Sequence, residues 1–241
     1  MLTAVYLLLV CFIGSLIQTV SGFGFGIFVL QFMPFFLPST QVSVAVSQLC
    51  SLAQSGLLAY RLRKHANIRL ILPPLLSALV SASAVIFLFT NQPDLLLKRM
   101  LAVALILLSV YFLFFSRRIR LKASLPAGIV AGLVSGVLSG LFGMGGPPMV
   151  LYLLAATDDN DVYMANIPLF FTFVNAYSSA LRAVNGVITP EALKFWALGM
   201  VGVLLGVWAG RKFYARIQPE TLKKCIYAMM AVSGVILFIS G

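Results

Sequence analysis

Two short segments of this sequence can do chemistry with backbone alone. Ser21-Gly22-Phe23-Gly24-Phe25-Gly26 and Ser139-Gly140-Leu141-Phe142-Gly143-Met144-Gly145-Gly146 are glycine-rich breaks within apolar runs, and Pro147 and Pro148 follow the second one. Proline suits the first turn of a helix, where its missing N–H costs nothing. A short helix is therefore expected from about Gly146 to Ala156. The start of such a helix has N–H groups without intrahelical acceptors and the positive end of the peptide dipole. Glycines let an anion come close to those groups. The chemistry on offer is non-covalent anion capture, with Gly24, Phe25, Gly26, Gly143, Met144, Gly145 and Gly146 as the candidate cradle.

Polar side chains within apolar runs are the second source of chemistry. Gln18, Thr19, Ser21, Gln48, Gln54, Asn166, Asn175 and Ser178 are of this kind. For most of them the expected role is hydrogen bonding between helices, worth about 1 kcal/mol or less each. Gln54 and Asn175 stand out because they occupy matching places in the two halves of the chain. Gln18 stands out because its match, Gly136, belongs to a packing row. These three are candidate cavity donors, with Ser21 and Ser139 as secondary candidates. Arg182 is a candidate fixed cation for an anion, but its match to Arg61 favours a helix-end side chain that snorkels to the interface.

The titratable inventory narrows the chemistry further. Asp94, Asp158, Asp159, Asp161, Glu191 and Glu220 are the 6 carboxylates, and all fall in loops or at the ends of apolar runs. Proton-coupled carriers commonly use an intramembrane Asp, Glu or His, and none is evident. The single histidine, His65, sits in a basic loop. Cys11, Cys50 and Cys225 have no metal-like spacing and read as packing residues. No catalytic dyad, nucleotide loop or haem ligation pattern is visible. Neither an enzyme nor a cofactor is expected.

The elements that must hold these residues follow from composition. Of 241 residues, 61% are hydrophobic and 10% charged, against about 25% charged in soluble domains. The mean hydropathy is +1.04. Lipid must be the solvent for most of the chain. A spanning helix needs roughly 20 apolar residues. Thr3–Ser21, Val42–Tyr60, Ile68–Thr90, Leu97–Ser116, Leu125–Phe142, Val162–Leu181, Ala192–Gly210 and Thr221–Ser240 qualify. The shorter runs Phe23–Leu37 and Gly146–Ala156 adjoin the glycine breaks. Thr3–Ser21 lacks the basic flank of a secretory signal and is expected to remain as a structural helix. The net charge of +11 comes from clusters beside the spans, which is the pattern of topology signals rather than of nucleic-acid binding.

The order of motifs repeats. Gln54 and Arg61 match Asn175 and Arg182 at the same mutual spacing. Gln92-Pro93-Asp94 matches Gln218-Pro219-Glu220, and Leu97-Lys98-Arg99 matches Leu222-Lys223-Lys224. The reading is an all-α integral membrane protein of two inverted repeats, each a glycine-broken hairpin followed by three spans. The first covers 1–116, with hairpin 3–37 and spans 42–60, 68–90 and 97–116. A basic linker, 117–124, follows. The second covers 125–241, with hairpin 125–156 and spans 162–181, 192–210 and 221–240. Arg61, Arg63, Lys64 and Arg69 mark one cytoplasmic loop, and Arg211, Lys212 and Arg216 another. The second loop corresponds to Asn91–Asp94, which lies outside in the first half. Corresponding loops thus face opposite sides, as inversion requires. Glycines at 128, 132, 136 and 140 and at 202, 206 and 210 recur every fourth residue and read as packing rows.

These paired motifs, with Asn175-Ala176-Tyr177-Ser178-Ser179, the glycine-rich span before Arg211-Lys212 and above all the stretch Ala131–Pro148, resemble the sulfite exporter TauE/SafE family, also called four-toluenesulfonate uptake permeases. The resemblance covers nearly the whole chain. It implies a multi-pass transporter of the bacterial inner membrane for sulfite, sulfonates or sulfoacetate-like anions, with Gly24, Gly26, Gly143, Gly145 and Gly146 as site backbone. The family motif often places its proline several residues further on than Pro147 and Pro148, and this departure bears on the substrate more than on the fold. The expected partners are a small anion and the lipid bilayer, with a homodimer left open. The leading functional expectation is secondary transport by alternating access between the two hairpins; the alternative is an anion channel through the same cavity.

Overall fold

The computed structural model describes residues 2–115, 123–213 and 219–239, with side chains described except at Phe115, Phe213 and 219–228. Arg117–Lys122, Arg216 and Gln218 lie outside the described residues, and Cys225 is among those without a described side chain. The described chain is helical: α1 Leu2–Ser21, α2 Phe25–Leu30, α3 Thr40–Leu62, α4 Ile68–Phe89, α5 Asp94–Val110, α6 Leu125–Phe142, α7 Gly146–Ala156, α8 Asn160–Val184, α9 Pro190–Phe213 and α10 Pro219–Ile239. Six of these, α1, α3, α4, α5, α6 and α9, are long and apolar enough to cross a bilayer. The protein is therefore a multi-pass membrane protein. Helix α8 is long as well, but it carries Asn166, Asn175, Ser178 and Arg182 buried within the bundle.

Local signals place the helix starts. Ser39 accepts the N–H of Val42 at 3.1 Å and begins α3. Asp94 reaches across from α5 and accepts the Thr40 N–H at 2.7 Å. Ser124 accepts the Ala127 N–H at 3.3 Å with Pro126 in the first turn of α6. Asp159 accepts from the N–H groups of Asp161 and Val162 and begins α8. Each capping oxygen satisfies donors that the helix itself cannot, worth about 1 kcal/mol.

The main packing partners come from opposite ends of the sequence. Helix α1 lies along α9, α4 along α6, α3 along α8 and α5 along α10. The two glycine rows make the first two contacts. Gly202 faces Leu8 and Phe12, Gly206 faces Phe12 and Ser15, and Gly210 faces Leu16 and Thr19. Numbers rise together, so α1 and α9 are parallel. Gly132 meets Pro74 and Ser77, Gly136 meets Ala78 and Ser81, and Gly140 meets Ala82 and Val85, so α4 and α6 are parallel too. The approach is close enough for serines to bond the neighbour's backbone. Ser15 donates to the Val203 carbonyl at 2.8 Å, Ser77 to Ile129 at 3.0 Å and Ser81 to Leu133 at 2.9 Å. Small residues admit the neighbouring helix, and van der Waals contact holds it without any hydrophobic drive between lipid-facing surfaces.

Helices α3 and α8 run antiparallel. Gln48 meets Arg182, Ser51 meets Asn175, and Gly56 faces Thr172. This pair defines two ends of the bundle. Thr40, Asp94 and Arg182 are at one end. Arg61 and Arg211 line one cleft at the other. Helices α1 and α6 run in opposite directions: Gly22, just past the end of α1, lines a cleft with Arg61, and Gly140, near the end of α6, lines one with Arg182.

Candidate functional site

The hairpin breaks meet in the middle of the bundle. Gly24 (φ +106°) caps the start of α2, and Gly143 (φ +67°) caps the end of α6. Both lie in the left-handed region, which glycine enters without the penalty of a Cβ. Gly26 is required for another reason. A Cβ there would collide with the carbonyl oxygen of Gly143, so the two hairpins touch backbone to backbone.

A small cleft opens beside this contact, lined by Gln18, Gly24, Gly26, Ile27, Ser51, Gly143, Met144, Gly146 and Phe171. Ser51 is the twelfth residue of α3 and Phe171 the twelfth of α8, helices of 23 and 25 residues, so the cleft is near half depth. The side chains around it leave room for about one water-sized guest.

Gln18 gives the cleft its most telling group. Its side chain is 2% exposed. Its Oε1 accepts the Phe25 N–H at 3.2 Å, which fixes the orientation of the amide. Its Nε2 then has no protein partner. An unsatisfied buried donor costs about 1–3 kcal/mol, so this group suits an acceptor from outside the protein. Ser51 adds a second donor. Asn175 Nδ2 donates to Ser51 Oγ at 3.0 Å, which leaves the hydroxyl proton of Ser51 for another acceptor. The Ser47 hydroxyl, fully buried and without a partner, lies 3.8 Å from where a Gly26 Cβ would be. Backbone adds one group from α7. Its first turn is Gly146-Pro147-Pro148, and of these only Gly146 keeps an N–H. The two prolines that mark the helix start thus also reduce its donor count.

The structure sorts the residues singled out by sequence. Gln18, Gly24, Gly26, Gly143, Met144 and Gly146 line one cleft. Phe25 is fully buried behind it and supplies the N–H that holds Gln18. Gly145 faces its own hairpin, against Ser135 and Ser139, and Ser135 donates to its carbonyl at 2.5 Å. Gln54 faces α1, where its Nε2 donates to the Ser15 carbonyl at 2.8 Å. Asn175 acts through Ser51. Ser21 bonds the Ile17 and Phe23 carbonyls and pins the α1 break. Ser139 offers its carbonyl to Gln48 Nε2 at 2.8 Å. Ser51, Ile27 and Phe171 are cleft residues that sequence reasoning missed. Ser51 carried one usable signal, a hydroxyl three residues before Gln54 in a polar stretch of α3.

Arg182 corrects an expectation. It does not snorkel to the interface. It is 5% exposed and turned into the bundle, where Nε donates to Gln48 Oε1 at 2.8 Å and Nη2 to the carbonyls of Gly140 and Leu141. These carbonyls belong to the last turn of α6, whose negative dipole end attracts the cation. The match Arg61 is exposed, as a helix-end residue would be. Among the described residues Cys11 and Cys50 are buried free thiols. No group of three or more His, Cys, Asp or Glu among the described residues is placed to hold a metal.

A multi-pass helical bundle with two broken hairpins meeting at a buried polar cleft is the architecture expected of a membrane transport protein. Residues 7–237 match the family model for sulfite exporter TauE/SafE, and the chain belongs to that family. It is a membrane transporter of sulfite- or sulfonate-type anions and not an enzyme. No curated protein sequence and no solved structure matches the chain.

Proposed function

We propose that the central cleft is the transport site and that the protein works by alternating access between two inverted repeats. The uncommitted Nε2 of Gln18, buried at the hairpin contact, carries this reading. With the Ser51 hydroxyl and the Gly146 N–H it forms a set of donors, and no carboxylate lines the cleft. Sulfite or a sulfonate head group presents three oxygens to such donors. The cleft is too small for either in this conformation, so loading requires the hairpins to separate where Gly26 rests on Gly143.

Three features support inversion. The packing pairs α1·α9 and α4·α6 exchange under a swap of halves, while α3·α8 and α5·α10 map onto themselves. The self-paired α3 and α8 are antiparallel, which a two-fold axis in the membrane plane produces and an axis along the normal does not. Arg211 lies at the same end as Arg61, while Asp94, in the loop corresponding to that of Arg211, lies at the other. The basic end is then cytoplasmic, and each hairpin is re-entrant from its own side. Non-helical backbone at this depth is tolerated because protein surrounds it.

Counterflow of labelled sulfite in proteoliposomes tests the mechanism. A carrier shows saturable uptake accelerated by sulfite on the opposite side. Flux that rises linearly with concentration and shows no such acceleration overturns alternating access and favours a channel.

A further inference from the structure

A second cleft, with room for about one water-sized guest in this conformation, lies at the Thr40 end, between α3, α4, α5, α6 and α8. Thr40, Gln41, Thr90, Leu141 and Phe142 line it together with Arg182. A buried charge is ordinarily paired with its opposite, and bringing an ion out of water costs several kcal/mol. Arg182 is 5% exposed, and among the described residues no carboxylate pairs with it. Its protein partners are two carbonyls and one amide oxygen, all neutral. Those bonds use Nε and Nη2. Nη1 donates to no protein acceptor among the described residues, although Arg182 borders the cleft. A buried guanidinium with one nitrogen uncommitted is a ready partner for an oxyanion. Asp94, the acidic residue near this end, has both oxygens engaged with Thr40.

A polar seam joins this cleft to the central one. Asn175, Ser178 and Arg182 are spaced i, i+3 and i+7 on α8, so they share one face. Asn175 and Arg182 meet Ser51 and Gln48 of α3, and the Ser178 hydroxyl between them is fully buried without a partner. The partition between the clefts is thin. Phe142 borders one and Gly143 the other. Gln48 touches both sides: its Oε1 holds Arg182, and its Cγ lies 3.0 Å from where a Gly143 Cβ would be.

We propose that the cleft at the Thr40 end is a second anion-binding site, in series with the central cleft, with Arg182 as its cation and a small oxyanion such as sulfite as its ligand. An anion there takes Nη1 of Arg182 once the cleft widens, and movement of the Gln48–Phe142 partition passes it to the donors of the central cleft. This rests on the transport reading above, but the test separates the two.

The test is sulfite titration of the purified full-length protein by calorimetry, with Arg182→Met, Arg182→Lys and Gln18→Met alongside the parent. Arg182→Met removes an unpaired buried charge but leaves Gln48 Oε1 and the Gly140 and Leu141 carbonyls without that donor, so its fold is checked first by thermal melting. The parent should bind two equivalents and Arg182→Met one. Arg182→Lys should keep both but weaken one by about 10-fold or more, because one ammonium cannot replace the Gln48 and α6 contacts and also reach the anion. One equivalent in the parent, or two in a folded Arg182→Met, overturns the proposal. If Arg182→Met does not fold, Arg182→Lys with both equivalents at parental affinity does the same. Unchanged binding in Gln18→Met, with one equivalent lost in Arg182→Met, would instead sink the central cleft and leave the Arg182 site standing.

Discussion

Replacing Gln18 by Met separates binding from folding. Met has nearly the same length and volume but neither donates nor accepts as an amide does. In the empty protein the change leaves the buried Phe25 N–H without its acceptor, a cost of about 1–3 kcal/mol. It also removes the unsatisfied Nε2, a gain of about 1–3 kcal/mol. The two oppose each other, so the melting temperature without substrate should change little. With sulfite bound the account differs. A hydrogen bond to a charged group contributes about 1.5–3 kcal/mol, which is roughly 10- to 100-fold in affinity. The assay is thermal stabilisation across a sulfite series, with uptake into proteoliposomes from the same preparation. Gln31 serves as the control. It is equally buried, with both amide atoms unpartnered, and is not among the residues of the cleft. Gln31→Met should alter stability and leave the sulfite dependence alone. A folded Gln18→Met with parental sulfite dependence would refute the assignment of the cleft.

Gly26→Ala should destabilise by about 1–3 kcal/mol through overpacking and abolish uptake, because the Gly143 carbonyl cannot rotate away; Gly56→Ala, whose new methyl has nothing nearer than 3.9 Å, should leave uptake unchanged. Gly136→Val should lower the melting temperature by separating α6 from α4, with a similar loss in Gly206→Val on the α1·α9 contact; unchanged melting of both would contradict the packing rows. Cysteines introduced at Arg61 and Lys212 of a chain with its own cysteines replaced should react with an impermeant maleimide from one face, and a cysteine at Gln92 from the other; labelling of all three from one face would exclude the inverted arrangement.

The helices were legible because their cause is local. Long apolar runs must be helical in lipid, and Ser39, Ser124 and Asp159 mark starts by side chains close to the atoms they cap. The hairpin breaks were legible for the same reason. The division of labour among their glycines was not. Gly24 and Gly26 look alike in sequence, yet one supplies a left-handed turn and the other a surface for the second hairpin. That surface belongs to Gly143, more than a hundred residues away. Arg182 shows the same limit. A basic residue near a helix end reads as interfacial, and what turns it inward is the carbonyl end of α6, 42 residues distant. Gln48 was visible only as a polar residue in a span, because its partners Ser139 and Arg182 lie 91 and 134 residues on.

The pairing of α1 with α9 also constrains how the protein is made. Ser15 and its partner Val203 are 188 residues apart. At about 5–20 residues per second, roughly 10–40 s of synthesis separate the emergence of the first helix from that of its neighbour. Throughout that interval the face of α1 that finally packs on Gly202, Gly206 and Gly210 has only lipid or the insertion machinery to cover it. The nascent first half cannot reach its final packing by itself, and a chain truncated before α9 leaves α1 without the surface it was shaped to meet. Quality control in the membrane has a simple cue in this protein: an N-terminal helix still waiting for the ninth.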